Sequence, residues 1–105
     1  ERLRELDFSG TALKELPSLI GNLIGLVKLI LDNCENLVCL LDSFCQLKFL
    51  EKLNLKGCSR LEIFPEILDT MEMLTKLNLS RTALKELPSS IDNLIGLEEL
   101  VLNNC

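Results

Sequence analysis

The chain has 105 residues, enough for one domain, and its 48% hydrophobic and 26% charged residues exclude a disordered or low-complexity segment. A formal net charge of −5 argues against a nucleic-acid-binding surface over the whole molecule. No run of about 18 uncharged apolar residues is present to span a membrane, and no basic start followed by an apolar stretch reads as a signal peptide.

The compositional bias lies in leucine, with 27 Leu among 105 residues and no Trp, Tyr or His. An irregular core usually mixes side-chain shapes, so one dominant branched residue implies one packing site used repeatedly. From the N-terminus, Leu3-Leu6-Phe8 opens a pattern that returns at Leu26-Leu29-Leu31, Leu50-Leu53-Leu55, Leu74-Leu77-Leu79 and Leu97-Leu100-Leu102. The steps between starts are 23, 24, 24 and 23 residues. The expected organisation is a single array with units 3–25, 26–49, 50–73 and 74–96 and a partial unit 97–105. The chain opens Glu1-Arg2-Leu3 without Met, and neither end carries a polar capping segment. It is therefore expected to be a fragment of a longer solenoid.

Each unit begins with a Leu-x-Leu step of period two, which predicts a short strand with both leucines on one side. The eighth residue after each start is Thr11, Cys34, Cys58, Thr82 or Cys105. Each is small, with a hydroxyl or thiol able to donate to backbone carbonyls as the chain turns inward. Apolar anchors follow in pairs: Leu13 and Leu16, Leu37 and Leu40, Leu61 and Phe64, Leu84 and Leu87. Pro17, Pro65 and Pro88 then fix φ before an outer segment with apolar residues three apart. Those pairs, Ile20 and Leu23, Phe44 and Leu47, Leu68 and Met71, Ile91 and Leu94, predict one or two turns of helix or 3-10 structure. Gly25 and Gly96 mark the return to the next strand. One unit cannot bury its leucines alone, whereas stacked units share a continuous core.

The octapeptide Thr-Ala-Leu-Lys-Glu-Leu-Pro-Ser occurs at Thr11–Ser18 and again at Thr82–Ser89. Residues 3–34 match 74–105 at 21 of 32 positions, as duplication of a three-unit block requires. The units of 24 residues instead carry Cys-x-x-Leu at Cys34-Glu35-Asn36-Leu37 and Cys58-Ser59-Arg60-Leu61. These patterns resemble leucine-rich repeats. The segments LEKLNLKGCSRLEIFPEI and LTKLNLSRTALKELPSSIDNLIGL are particularly similar to repeats of plant intracellular nucleotide-binding, leucine-rich-repeat disease-resistance proteins, especially the branch with a Toll/interleukin-receptor domain.

The resemblance implies an α/β leucine-rich-repeat solenoid. A curved parallel sheet of short strands would lie on the concave side, with short helical, 3-10 or irregular segments on the convex side. It implies a recognition and regulatory module of an innate immune receptor. Such a module senses pathogen effectors, directly or through a guarded host protein, and restrains the receptor's own nucleotide-binding module. ATP or ADP would belong to that upstream domain; no Gly-x-x-x-x-Gly-Lys phosphate loop occurs in this chain, so no cofactor is expected here. A departure lies in the second unit, where Leu41 stands in place of Pro and predicts a differently shaped corner. The alternative is an interaction scaffold of the small-GTPase-associated type, which typically has Asn at the inward turn.

Strand residues facing away from the core form the candidate binding surface. One column reads Glu5, Lys28, Lys52, Lys76, Glu99; the next Asp7, Ile30, Asn54, Asn78, Val101; the third Ser9, Asp32, Lys56, Ser80, Asn103. The stacked lysines, Lys56 and Arg81 make a basic stripe on an acidic protein, suited to an acidic protein partner. Charge runs are also commonly solvated faces. Ile30 and Val101 fit either interface contacts or plain strand preference. Five strands about 4.8 Å apart span about 20 Å, so the surface is at most part of a standard interface of about 800 Å² per partner.

The five cysteines lack the spacing of a secreted disulfide framework, which favours reduced thiols in the cytoplasm or nucleus. Cys34 and Cys58 share a column and read as buried turn residues, with a disulfide as the sharper reading. Without histidine there is no base to activate a thiol, and zinc has no paired Cys-x-x-Cys. Glu98 and Glu99 alternate across a strand and cannot share a substrate. The glycosylation-type triplet Asn78-Leu79-Ser80 is expected to stay unused. No enzymatic activity is expected.

Overall fold

A computed structural model describes residues 3–16, 18–40 and 42–105. Pro17 and the Leu41 departure lie outside the described residues. Five three-residue strands, β1 (Glu5–Asp7), β2 (Lys28–Ile30), β3 (Lys52–Asn54), β4 (Lys76–Asn78) and β5 (Glu99–Val101), form one sheet in sequence order. Every adjacent pair is parallel and in register, so that Leu6, Leu29, Leu53, Leu77 and Leu100 stand in one row. Parallel strands need a crossover, and the outer part of each unit supplies it. The result is the expected leucine-rich-repeat solenoid.

The strands are short because each chain turns inward soon after its third residue. The ladder runs on through Leu31 N–H to Asn54 O, Leu55 N–H to Asn78 O and Leu79 N–H to Val101 O, each 2.8 Å. It then meets a residue in the left-handed region: Gly10, Asn33, Gly57, Arg81 and Asn104 have φ between 59° and 81°. These five occupy the same place in successive units, one residue before the small Thr or Cys. Glycine and asparagine take this conformation readily; arginine does so at a cost of about 1–3 kcal/mol.

The small residues behave as their chemistry predicts. Cys34 donates to Phe8 O and Cys58 to Leu31 O, both at 3.1 Å, and Cys105 donates to Leu79 O at 3.1 Å. Each of these thiols reaches the carbonyl of the preceding unit and so ties two units together. The Thr82 hydroxyl instead bonds Leu79 O of its own turn at 2.8 Å. The thiol ladder is therefore interrupted between the third and fourth units. Cys34 and Cys58 are free thiols, not a disulfide.

Leu26, Leu29, Leu31, Leu50, Leu53, Leu55, Leu74, Leu77 and Leu79 are essentially inaccessible to solvent. At about 1.5–3 kcal/mol per fully buried Leu, this shared core is the main stabilising term. At the outer corner, Phe44 and Phe64 pack edge to face with centroids 5.4 Å apart, locking the second unit to the third.

The outer segments differ. Three are 3-10 helices, Ser18–Asn22, Asp42–Gln46 and Ser89–Asn93. The third unit has none, and its expected anchor Leu68 is 70% exposed. Ile67 takes the core position beside Met71, each 1% exposed. Neighbouring units satisfy the backbone that a helix would have satisfied internally. Ser90 Oγ accepts from Ile67 N–H at 2.8 Å, Asn93 Nδ2 donates to Ile67 O at 2.7 Å, and Asn93 O accepts from Met71 N–H at 3.0 Å. From the other side Lys48 pairs with Asp69 at 2.9 Å and donates to Thr70 O at 2.8 Å. Buried backbone groups need such partners, and the extended path is tolerable because these exist.

The return turns also have specific requirements. A Cβ placed on Gly96 would lie 2.0 Å from Glu72 O, so only glycine lets the fourth unit close against the third there.

Candidate concave-face recognition site

Strict register places the predicted site residues as the spacing requires. Glu5, Lys28, Lys52, Lys76 and Glu99 form one row across the sheet, and Asp7, Ile30, Asn54, Asn78 and Val101 the next. Lys28, Lys76 and Glu99 are exposed, while Lys52, Ile30, Asn54, Asn78 and Val101 are half-buried. Among the described residues the ion pair lies on the outer side, between Lys48 and Asp69; Lys28, Lys52, Lys56, Lys76 and Arg81 form none. Like charges directly opposite one another on neighbouring strands destabilise a sheet. That repulsion falls on Lys52, between Lys28 and Lys76, whereas Lys28 and Lys76 also face Glu5 and Glu99; the three ammonium groups, without ion pairs among the described residues, remain available to a partner.

The sheet carries two shallow depressions on this face. One, of about 180 Å³, is lined by Lys52, Asn54, Lys76, Asn78, Glu99 and Val101 with the backs of Leu53 and Leu77. Six predicted site residues thus meet in one place, cationic in the middle and acidic at the edge. The second, of about 190 Å³, lies where the strands end and brings together Lys56, Asn78, Ser80, Arg81, Val101, Asn103 and Asn104. Lys28 and Ile30 line neither of them.

Local hydrogen bonds set the strand ends. The Ser9 side chain first, and the Ser9 N–H that donates to Asp7 Oδ1 at 2.9 Å second, hold the Asp7 carboxyl below its ordinary pKa. The same turn recurs in the fourth unit, where Asn78 Oδ1 accepts from Ser80 N–H at 3.0 Å. Asp32 behaves differently: burial raises its pKa, against the attraction of Lys56 and Lys52. Its Oδ1, Asn54 Oδ1 and Ser80 Oγ are sealed from solvent without a hydrogen-bond partner. Orphaned polar atoms of this kind cost about 1–3 kcal/mol each and concentrate here on the concave side.

One residue departs from the column reading. Ser80, expected on the exposed surface, is only 5% exposed, whereas Ser9, in the same turn of the first unit, is exposed. Arg81 does not belong to a strand; it occupies the left-handed turn. Sequence reasoning missed Asn104 and the left-handed column, although Gly10, Asn33, Gly57 and Asn104 at one spacing were the signal for it. Elsewhere, burial pushes the Cys58 thiol up to about 11, which makes it a poor nucleophile. Among the described residues no three His, Cys, Asp or Glu side chains gather as a metal site, and no helix is long and apolar enough to cross a membrane.

Comparison with known proteins agrees with this geometry. Residues 46–104 match the family model described as "Disease resistance protein RPS4B-like, leucine-rich repeats", and residues 2–23 match "Leucine Rich Repeat". The chain belongs to the RPS4B-like leucine-rich repeats. It is 46% identical over 98% of its length to the probable disease resistance protein At4g19520 of Arabidopsis thaliana, covering 6% of that protein. It is 41% identical over 98% of its length to disease resistance protein RPS6 of the same species, covering 9%. TMV resistance protein N of Nicotiana glutinosa is 37% identical over 93% of the chain, which covers 8% of it. The chain thus spans less than a tenth of the length of these curated relatives. It is a leucine-rich-repeat region of the plant disease-resistance type, and such repeats are modules of protein–protein interaction.

Proposed function

We propose that the concave face of this RPS4B-like repeat region is a protein-recognition surface of a plant innate immune receptor. In that role it senses a pathogen effector, directly or through a guarded host protein, and helps restrain the receptor's nucleotide-binding module. The supporting observation is the in-register row of Lys28, Lys52 and Lys76 on a chain of net charge −5, in which Lys52 has a like charge opposite it on both neighbouring strands. An acidic surface, on an effector, a host protein or the nucleotide-binding module, complements it. The family match favours this reading over the small-GTPase-associated scaffold. The resemblance of the chain's repeats to the Toll/interleukin-receptor branch extends this reading to a receptor with such a domain, acting in the cytoplasm or nucleus.

The test is made in the receptor carrying this region, expressed in leaf tissue with Lys52→Glu and Lys76→Glu together. The reading expects loss of the pathogen-triggered response, or a response without pathogen when restraint is what fails. A receptor silent at rest and fully responsive, at unchanged protein level, would remove the concave row from its function.

A further inference from the structure

The depression at the strand ends differs in kind from the lysine row. Its cations, Lys56 and Arg81, come from consecutive units, and the side chain of neither forms a hydrogen bond or ion pair among the described residues. Between them sits Ser80, 5% exposed, with an Oγ that has no partner. Asn78 spends its carbonyl oxygen on Ser80 N–H, which leaves its amide NH₂ as a donor. Asn103 lines the same hollow, and its backbone carbonyl is already engaged by Arg81 N–H at 2.9 Å. The hollow therefore offers a guanidinium, an ammonium, a hydroxyl and amide NH₂ groups, all able to donate.

Arg81 adds a second, independent observation. It holds φ of 59° where the equivalent residues are Gly10, Asn33, Gly57 and Asn104. A long cationic side chain in the left-handed region is retained at the fold's expense, and such strain gathers where a side chain must be held for a purpose. Asp32 attracts Lys56 from the neighbouring strand without a hydrogen bond, so the ammonium remains free to take a ligand.

We infer that Lys56, Ser80 and Arg81, with Asn78 and Asn103, form a subsite for the carboxylate of an aspartate or glutamate in a partner peptide. Arginine suits this ligand because its planar fork matches the two carboxylate oxygens. The Ser80 hydroxyl, closed off from solvent as the hollow stands, gains the partner it lacks by turning outward as the carboxylate arrives. The inference rests on the concave face being a protein-binding surface and names the chemistry that one corner of it selects.

The experiment is an NMR titration of the ¹⁵N-labelled chain with an acidic peptide, acetyl-Gly-Asp-Glu-Asp-Gly-amide, its Asn/Gln counterpart, and inorganic phosphate. The expected result is saturable shifts at Ser80, Arg81 and Asn103 with the acidic peptide, and at least tenfold weaker binding of the amide peptide and of phosphate. Arg81→Gly and Arg81→Asn, which install the residues of equivalent turns, should weaken acidic-peptide binding at least tenfold while raising the melting midpoint. Equal shifts from the amide peptide, tighter binding of phosphate, or undiminished binding by Arg81→Gly would overturn the assignment. Lys28→Glu separates the two readings. If it weakens the peptide as much as Arg81→Gly does, attraction is diffuse and the subsite falls, while the lysine row stands.

Discussion

The octapeptide shared by Thr11–Ser18 and Thr82–Ser89 has one sequence and two environments. Thr82 is 6% exposed and its hydroxyl bonds Leu79 O at 2.8 Å, whereas Thr11 is exposed and its hydroxyl meets the Cys34 sulfur at 3.5 Å. The leucines exchange roles: Leu16 is 2% exposed and Leu13 half-buried, while Leu84 is 6% exposed and Leu87 half-buried. Thr82 has its equivalents Cys58 and Cys105 stacked on both sides and Thr11 has Cys34 on one side only, while Leu84 packs over Leu61 of the third unit and Leu13 under Leu37 of the second. Local pattern therefore decides which way a side chain points, and stacked neighbours decide how much of it is buried.

Identical substitutions in the two copies break this comparison most sharply. Leu84→Ala should cost about 3 kcal/mol in urea denaturation and Leu13→Ala about 1 kcal/mol, since only the first opens a cavity inside packed core. Equal losses would mean that neighbours do not control burial. Next in size, Gly96→Ala forces a methyl against Glu72 O and should cost about 1–3 kcal/mol, read by the same denaturation midpoint. Smaller still, Thr82→Val removes a buried hydrogen bond worth about 1 kcal/mol, whereas Thr11→Val should fall within about 0.5 kcal/mol of the parent. The Cys105 thiol already serves Leu79 O, which keeps the Thr82 effect from growing larger.

The subtlest effect separates interior from end by pH. The Cys58 thiol ionises at about 11 in the folded chain against an ordinary 9.0. Because the folded value is the higher one, its contribution is fully present below pH 9 and is lost as pH rises from there toward about 11. Denaturation midpoints from pH 8 upward should decline more steeply for the parent than for Cys58→Ala. Parallel declines would show that the thiol is not held protonated by burial. Over the same buffers, iodoacetamide should label exposed Cys39 and Cys105 long before buried Cys34 and Cys58.

How much of this was legible in the residues follows from the same division. The strands, their register and the donor role of Cys34, Cys58 and Thr82 depend on spacing alone, which a periodic sequence displays openly. The outer path of the third unit does not. Ile67 and Leu68 are adjacent and both apolar, so spacing three apart selected Leu68, while bonds from Ser90, Asn93 and Lys48 to this segment support the path that buries Ile67. Those partners lie more than twenty residues away and leave no mark on the local pattern. For the candidate site, the columns of Lys52, Asn54, Lys76 and Asn78 were readable. The burial of Ser80 was not, because Ser9 and Lys56 at the same place in other units are exposed. Arg81 masked the left-handed column by departing from its Gly and Asn chemistry.

The central claim is that Lys52, at the middle of the concave lysine row with a lysine opposite it on each side, is kept for recognition and adds nothing to the fold. The direct measurement is the thermal midpoint of the Lys52→Glu chain at low ionic strength and again at high salt. Replacing the middle of three like charges should leave the midpoint unchanged or raise it at low salt, with any gain shrinking as salt screens the row. A midpoint lowered by several degrees would make the row part of the scaffold and contradict the account.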